Sequence, residues 1–306
     1  MTAPDFSQGA AWIDGQYVPI AEARIPILDR GFTRSDCTYD VYHVWKGLAF
    51  RLEDHMERLE RNMKALRLKL PMSRDEIRDI SLECVRRTGL RDAFVSITVT
   101  RGMTPKGSRD PRTAVNRLYV YVIPFVWIAD LEKQKEGLNL WISEIQRIPP
   151  ASLNPQTKNY HWADLTMGLF EAYDNDCEIE VLLDGEGNVT EGPGFNIFVL
   201  RDGRLHTPLE GVFDGMTRRT ILELARETNV KVEEGLVPAE LVRAADEVFI
   251  TSTAGGVMPV TKIAGKTVGD GAPGPLTQSL SRLYWSKKEA GWLGTPIDYG
   301  AKDRAA

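Results

Sequence analysis

The chain has 306 residues, of which 42% are hydrophobic and 26% are charged, and its net charge at pH 7 is -5. This composition is that of a globular protein with one large or two smaller domains. The acidic balance, with no basic run, argues against binding of nucleic acid. Three cysteines and four histidines are too few and too scattered for a disulfide framework or a transition-metal site, so we expect no metal.

The N-terminal residues predict no secretory leader, because they have neither a basic start nor an apolar core. The longest apolar run, residues 118–129, is too short to cross a bilayer and contains Pro124. We therefore expect a cytoplasmic protein that has no membrane partner.

The first 126 residues alternate between strand and helix patterns. An Asp-Gly turn within residues 12–18 is typical of a hairpin, and a Ser-x-x-Glu capping box at residues 73–76 opens an amphipathic helix. The predicted elements lie at residues 12–18, 39–45, 48–52, 54–68, 73–88, 94–100 and 118–123. We interpret residues 1–126 as a smaller N-terminal α/β domain.

Residues 127–137 are charged and lack a hydrophobic period, which predicts a linker. Residues 138–306 then form the larger C-terminal domain of the prediction. Its strands are predicted at residues 138–143, 179–183, 195–200 and 247–251, and its helices at 163–173, 217–229, 238–244 and 277–288. The fold class that follows is α+β with two domains.

Two residues, Lys158 and Glu191, carry the functional interpretation. Lys158 lies just ahead of an amphipathic helix pattern, and an amine placed there can form a Schiff base and then move a proton. Glu191 lies in the segment 190–198, whose glycines allow a tight backbone, and its carboxylate can keep a pyridine nitrogen protonated. Each residue also fits an ordinary role, as a solvated loop lysine or a turn glutamate.

Three further segments are candidates for binding a phosphate. Residues 215–217 open a helix, where free amides and a threonine hydroxyl bind anions. The basic residues 218–219 in the first turn fit a bound dianion, although they also fit pairing with acids elsewhere. Residues 251–256, which include Ser252 and Thr253, carry hydroxyls and small residues after a strand, as in a phosphate-binding turn, although such a segment also fits an ordinary polar loop. Arg58 is a single arginine on a predicted helix.

Together these segments resemble the fold-type IV pyridoxal phosphate (PLP) enzymes, over the region from Trp12 to Trp285. That family includes branched-chain and D-amino-acid aminotransferases, aminodeoxychorismate lyase and (R)-selective amine transaminases. The resemblance implies that Lys158 is the Schiff-base lysine and Glu191 the partner of the pyridine nitrogen. It implies that the phosphate is held by Arg58, Met216, Thr217, Ser252 and Thr253.

Residues 34–41 and 253–260 are most similar to the (R)-selective amine transaminases. The resemblance therefore implies transamination (EC 2.6.1 type) between an (R)-configured primary amine and an α-keto acid such as pyruvate. It implies a small pocket from Val41, Phe94 and Ser96, and a large pocket from Arg34, Tyr39, Tyr160 and Trp162. Ser96 stands where many relatives carry an acidic residue, and Arg34 where some carry histidine, which leaves the substrate preference open.

The carboxylate of a keto acid needs a cation, because burying it unpaired is costly. The candidates in the sequence are Arg34, Lys106 and Arg109, of which the last two lie in a loop containing glycine and proline. A movable loop arginine would allow the same pocket to accept a hydrophobic amine.

Other activities remain open at this point. A D-amino-acid or branched-chain amino-acid aminotransferase would use the same scaffold, and a PLP lyase resembling aminodeoxychorismate lyase would release pyruvate without an acceptor. A protein that only carries the cofactor is a further alternative, although it would not need the base Lys158. The family also implies a homodimer or a higher homo-oligomer, with small-molecule amines and keto acids as partners.

Overall fold

The computed structural model describes residues 4–300. Its strands are β1 Ala10–Ile13, β2 Gln16–Pro19, β3 Cys37–Trp45, β4 Leu48–Phe50, β5 Ala93–Met103, β6 Val115–Pro124, β7 Leu138–Gln146, β8 Ile179–Leu183, β9 Asn196–Arg201, β10 Arg204–Pro208, β11 Val232–Gly235, β12 Glu247–Ser252, β13 Gly256–Ile263, β14 Lys266–Thr267 and β15 Gly294–Pro296. Its α-helices are α1 Arg30–Arg34, α2 Leu52–Ala65, α3 Arg74–Thr88, α4 Leu131–Glu136, α5 Ala163–Asp174, α6 Met216–Glu227, α7 Ala239–Arg243 and α8 Pro275–Glu289.

The first compact unit contains residues 4–126, 157–160 and 288–300 of the described chain. Its sheet has the order β15-β4-β3-β5-β6-β1-β2, and every pair is antiparallel. The helix α2 packs on β3, and α3 packs on β1 and β6. Alternate residues of β5 point toward these helices. Val95, Ile97 and Val99 are therefore buried in the core of this unit, together with Tyr42 and Leu59.

The second unit contains residues 127–156 and 161–287. Its sheet has the order β11-β10-β9-β12-β13-β7-β8, with β14 paired to β13. The pairs β10–β11, β13–β7 and β7–β8 are parallel, and the rest are antiparallel. The helix α5 covers β7 and β8, and α6 packs on β12 and β11. This arrangement places the carboxyl end of β7 and the start of α5 beside the loop that follows β8.

Several predicted elements are confirmed, including the capping box in which Ser73 and Glu76 bond each other's backbone at the start of α3. The two units differ from the predicted division at three places. Residues 127–137 contain α4 and belong to the second unit, because α4 packs on β13. Residues 288–300 belong to the first unit, because β15 pairs with β4. The segment 157–160 also belongs to the first unit.

Within residues 4–300, none of the helices has the length and apolar character needed to span a bilayer. The same residues contain no cluster of three or more histidine, cysteine or acidic side chains that could hold a metal ion.

Candidate active site

Lys158 lies in the first unit, where two strands of the sheet fix its segment. Its backbone carbonyl accepts a hydrogen bond of 2.7 Å from the hydroxyl of Thr38 on β3. Its Nζ lies above the Tyr39 ring, 4.5 Å from the ring centroid. An ammonium group in this position is attracted by the ring. The ring of Tyr160 lies 4.6 Å from that of Tyr39, and its hydroxyl is 2.9 Å from Thr98 Oγ1 on β5. The structure therefore holds this amine beside two tyrosines predicted for the large pocket.

The predicted small pocket lies on the same face of β3 and β5. Directly opposite residues of antiparallel strands share a face, and the register pairs Tyr39 with Thr98 and Val41 with Ser96. Phe94 is two residues before Ser96 and stacks at 6.4 Å on Tyr121 of β6. This surface, which we call the aromatic face, consists of Tyr39, Val41, Phe94, Ser96, Thr98 and Tyr121. Tyr121 was missed in the sequence, although the alternation of β6 would have placed it there.

Arg58 lies in α2 and is buried, unlike an ordinary surface arginine of a helix. Its Nε is 2.7 Å from Asp40 Oδ2 and its Nη2 is 2.8 Å from Asp40 Oδ1, while His55 Nδ1 is 2.7 Å from Oδ1. Although burial alone would raise it, the pKa of Asp40 is held well below its usual range by Arg58 and His55. Burial lowers the pKa of His55 despite the nearby carboxylate. The cation of Arg58 is thus fixed in orientation by a buried ion pair.

The three basic residues predicted to bind a substrate carboxylate are all exposed in the first unit. Arg34 ends α1 and donates a hydrogen bond of 3.0 Å to the hydroxyl of Thr33. Lys106 and Arg109 lie in the loop between β5 and β6. A role of any of the three in binding a carboxylate stays a prediction.

Glu191 lies in the second unit and is buried. Its Oε2 accepts a hydrogen bond of 2.8 Å from the amide of Phe213, and its Oε1 accepts two of 3.3 Å from Nε and Nη2 of Arg147. Glycine next to Glu191 allows neighbouring parts of the second unit to pack closely. A Cβ on Gly192 would overlap the ring of Phe195, so only glycine fits there.

Arg147 and Asp164 are linked to the candidate residue Glu191, and the sequence reasoning did not name either of them. Arg147 follows β7 and donates a hydrogen bond of 2.6 Å from Nη1 to Asp164 Oδ2 at the start of α5. The same carboxylate oxygen accepts a 3.0 Å bond from the amide of Ile148. One guanidinium therefore bridges two carboxylates that are at most 9% exposed, and it fixes the rotamer of Glu191. The separation of 44 residues between Arg147 and Glu191 gave no local pattern that could have revealed the pair.

The start of α6 has the geometry of an anion site. Gly215 caps the helix without a side-chain hydrogen bond, and the first helical bond runs from Arg219 to the Gly215 carbonyl. The amides of Met216 and Thr217 consequently have no helical acceptor, and both residues are buried. A Cβ on Gly215 would overlap Asn196 Oδ1, which leaves glycine as the residue that fits.

The arginines in the first turn of α6 have partners within the second unit. Arg218 donates to the carbonyl of Pro208 at 2.9 Å and to Glu234 at 3.0 Å. Arg219 donates to Asp214 at 2.7 Å. Of the two interpretations left open by the sequence, pairing with acids is the one that these contacts support.

The turn after β12 is tied to the glycine loop of Glu191. The hydroxyl of Ser252 donates to the carbonyl of Gly194 at 2.8 Å, so Ser252 has a structural partner, while Thr253 is half-buried beside it. Thr251 Oγ1 is buried without a hydrogen-bond partner in the described structure, and Thr251 pairs in register with Asn196. The unpartnered hydroxyl of Thr251 therefore lies on the strand next to Asn196, and Asn196 Oδ1 lies against Gly215 at the start of α6.

Trp162 immediately precedes α5, and its ring lies 3.5 Å from the position that a Cβ on Gly194 would occupy. Trp162 therefore packs against the glycine loop of Glu191, and its role in a substrate pocket stays a prediction.

The chain matches the model of the amino-transferase class IV family over residues 38–263 and belongs to that family. It is 30% identical over 285 residues to a branched-chain-amino-acid aminotransferase of Pseudomonas aeruginosa, covering 90% of this chain and 92% of that protein. It is also 30% identical over 269 residues to a D-alanine aminotransferase of Bacillus licheniformis, covering 87% of this chain and 93% of that protein.

Among solved structures, the branched-chain amino acid aminotransferase of Thermobaculum terrenum in its PLP form superposes with a TM-score of 0.85 at 26% identity. The match covers 96% of this chain and 100% of that one. The predicted family and the two-domain α+β fold of type IV are confirmed, and the chain is an aminotransferase.

Proposed function

We propose that this aminotransferase moves an amino group between an (R)-configured primary amine and an α-keto acid such as pyruvate. The observation that carries the proposal is the aromatic face beside Lys158. The described side chains of that face are uncharged, and the three basic candidates for a carboxylate site are exposed in the first unit. Such a surface suits the aryl group of an arylalkylamine, while the carboxylate of pyruvate would need one of the basic candidates Arg34, Lys106 or Arg109.

The residues fit PLP, the cofactor of the family. Lys158 is an amine suited to covalent attachment of an aldehyde, and Glu191 is a buried carboxylate suited to a pyridine nitrogen. The free amides at 216–217 suit the phosphate. The unpartnered hydroxyl of Thr251 near that helix start is a polar group that a bound anion would satisfy. When bound, PLP supplies an electron sink for the charge that develops on the substrate carbon.

Lys158 Nζ is the general base that removes the proton from the carbon bearing the amino group, and it returns that proton later as an acid. The bond from Thr38 to its carbonyl and the ring of Tyr39 limit the positions available to Nζ. Arg147 and the amide of Phe213 keep both oxygens of Glu191 occupied and oriented. The rings of the aromatic face exclude water from the side on which they contact the substrate.

The test is a panel of amine donors with pyruvate as acceptor, scored for alanine formation. We expect (R)-1-phenylethylamine to give alanine at least tenfold faster than its (S) enantiomer does, and faster than D-alanine or L-leucine gives glutamate in parallel assays with 2-oxoglutarate as acceptor. A preference for leucine or D-alanine would replace the proposal with a branched-chain or D-amino-acid aminotransferase, as the names of the relatives suggest. Release of pyruvate from aminodeoxychorismate without an acceptor would indicate a lyase instead.

Lys158→Arg is the matched control for the panel, because it keeps the positive charge while removing the amine as a base. We expect this variant to be inactive with every donor. Activity that survived in Lys158→Arg would contradict the assignment of the base.

We also propose that the chain forms a homodimer or a larger homo-oligomer. Ile27, Leu28 and Phe32 are largely exposed in the first unit, and Met167 and Phe170 are exposed at helical spacing on α5 in the second. Light scattering should give at least twice the chain mass, and Leu28→Glu should lower it. A monomer at micromolar concentration would contradict the proposal. The cytoplasmic location stays a prediction.

A further inference from the structure

Glu180 on β8 is a buried acid that the proposed reaction does not use. Its side chain has no exposed surface, and neither carboxyl oxygen has a hydrogen-bond partner in the described part of the chain. A carboxylate in such a place is far less stable than the neutral acid, because the charge is removed from water without compensation.

The surroundings of Glu180 form a polar layer beneath α5. A Cβ on Gly168 of α5 would lie 3.0 Å from Glu180 Cγ and 3.4 Å from Ser143 Oγ, so glycine allows the helix to close over both residues. The parallel register places Trp141 directly opposite Glu180, with both side chains on one face. Trp141 Nε1 is also buried without a partner among residues 4–300. An indole donor and an unpartnered acid are therefore neighbours under one helix.

The charged groups around Glu180 are mostly acidic. The helix α5 contributes Asp164 and Glu171, and Glu171 accepts a hydrogen bond from Ser143. The loop after β7 contributes Arg147, which pairs with Asp164 and Glu191. Glu191 lies against β8, since its carbonyl accepts a 3.1 Å bond from Leu182. Burial raises the pKa of Glu180 to about 8, against an opposing contribution from its own backbone amide, and the charge of Asp164 adds a smaller rise.

We propose that Glu180 is a positioning residue that acts in its uncharged form. As a neutral acid it does not repel Asp164, so Arg147 keeps its ion pairs with Asp164 and Glu191. As a carboxylate it adds a negative charge that repels Asp164, and this repulsion disturbs the bridge from Asp164 through Arg147 to Glu191. This role rests on the proposed function only in taking Glu191 as the partner of PLP.

The first experiment measures the thermal midpoint of the apo-protein against pH. The pKa of Glu180 is raised from the ordinary value of 4.5, so its contribution to stability is complete below that value and is lost as pH rises through about 8. We expect the wild-type midpoint to fall by several degrees between pH 5 and pH 8 and to level off above pH 8, because the unfolded state loses this proton near pH 4.5 and the folded state near pH 8. Glu180→Gln should be nearly flat in that range, and Glu144→Gln, an exposed control on β7, should follow the wild type.

Parallel falls of the wild type and Glu180→Gln would overturn the proposal. Should Glu180→Gln fail to fold, carbon-13 NMR of wild-type protein labelled at glutamate carboxyls reports the same event. A glutamate that titrates near pH 8 supports the proposal, and a spectrum in which every glutamate is ionised by pH 7 overturns it.

The second experiment measures the dissociation constant of PLP at pH 7 and pH 9 by protein fluorescence. We expect affinity to fall several-fold more in the wild type than in Glu180→Gln. Equal pH dependence in the two proteins would overturn the positioning role. If neither protein bound PLP, the proposed function would fail, and the apo-protein result would still stand on its own.

Discussion

Replacing Arg147 with methionine tests the link between Glu191 and its surroundings. Methionine keeps an apolar stem but removes the charge that serves both Asp164 and Glu191. The side chains of the three residues are only 11%, 9% and 8% exposed, so solvent replaces little of the lost interaction. Removing one partner of a buried ion pair typically costs about 3–5 kcal/mol, because the remaining charge is left uncompensated.

Two carboxylates lose their cation in this variant, which would raise the cost above that of a single pair. Each also keeps a backbone donor, the amide of Phe213 or of Ile148, which lowers it. We therefore expect Arg147→Met to reduce the free energy of unfolding of the apo-protein by about 3–5 kcal/mol at pH 7.5. Urea denaturation followed by tryptophan fluorescence provides the measurement.

The control for this variant is Arg204→Met. Arg204 pairs with Glu233 at 3.0 Å, but both side chains are more than half exposed. An exposed pair contributes roughly 0–1 kcal/mol, so this control should remain close to wild type. If Arg147→Met lowered the free energy of unfolding by less than about 1 kcal/mol, the reasoning would be refuted, because the two carboxylates would then not need the charge of Arg147.

Three other perturbations have defined outcomes. Asp40→Asn removes a carboxylate whose pKa is lowered by Arg58 despite burial. The ionised carboxylate stabilises the folded protein above about pH 4, and this stabilisation is lost as the pH falls below that value. The midpoint of the wild type should therefore fall more steeply than that of Asp40→Asn from about pH 5 to pH 3, and equal slopes would contradict this. Gly215→Ala brings a methyl group into overlap with Asn196 Oδ1, so the affinity for PLP should fall at least tenfold in a fluorescence titration while circular dichroism stays unchanged. Borohydride reduction of wild-type protein with PLP should label the peptide containing Lys158, and Lys158→Ala should give no label there.

Local patterns were sufficient where the physics is local. The alternation of Val95, Ile97 and Val99 predicts a strand with these residues on one face, and β5 is that strand, although its opposite face is buried as well. The capping box of Ser73 and Glu76 predicts the start of α3 because both bonds lie within one helical turn. The segments around Lys158 and Glu191 likewise carried enough neighbouring residues to indicate the family, which the comparison confirms.

The sequence by itself thus determined the fold class and the family, and it singled out Lys158 as the candidate reactive amine. The tertiary structure decided which side chains share a surface. It alone pairs Arg147 with Glu191, 44 residues apart, and buries Glu180 opposite Trp141. It also joins β15 to β4, because hydrogen bonds between distant strands depend on chain topology and have no period in the sequence. Burial also depends on chain topology. A glutamate is an ordinary ionised acid at the surface and a neutral acid in the core, and the residues that pack over it decide which of the two it is.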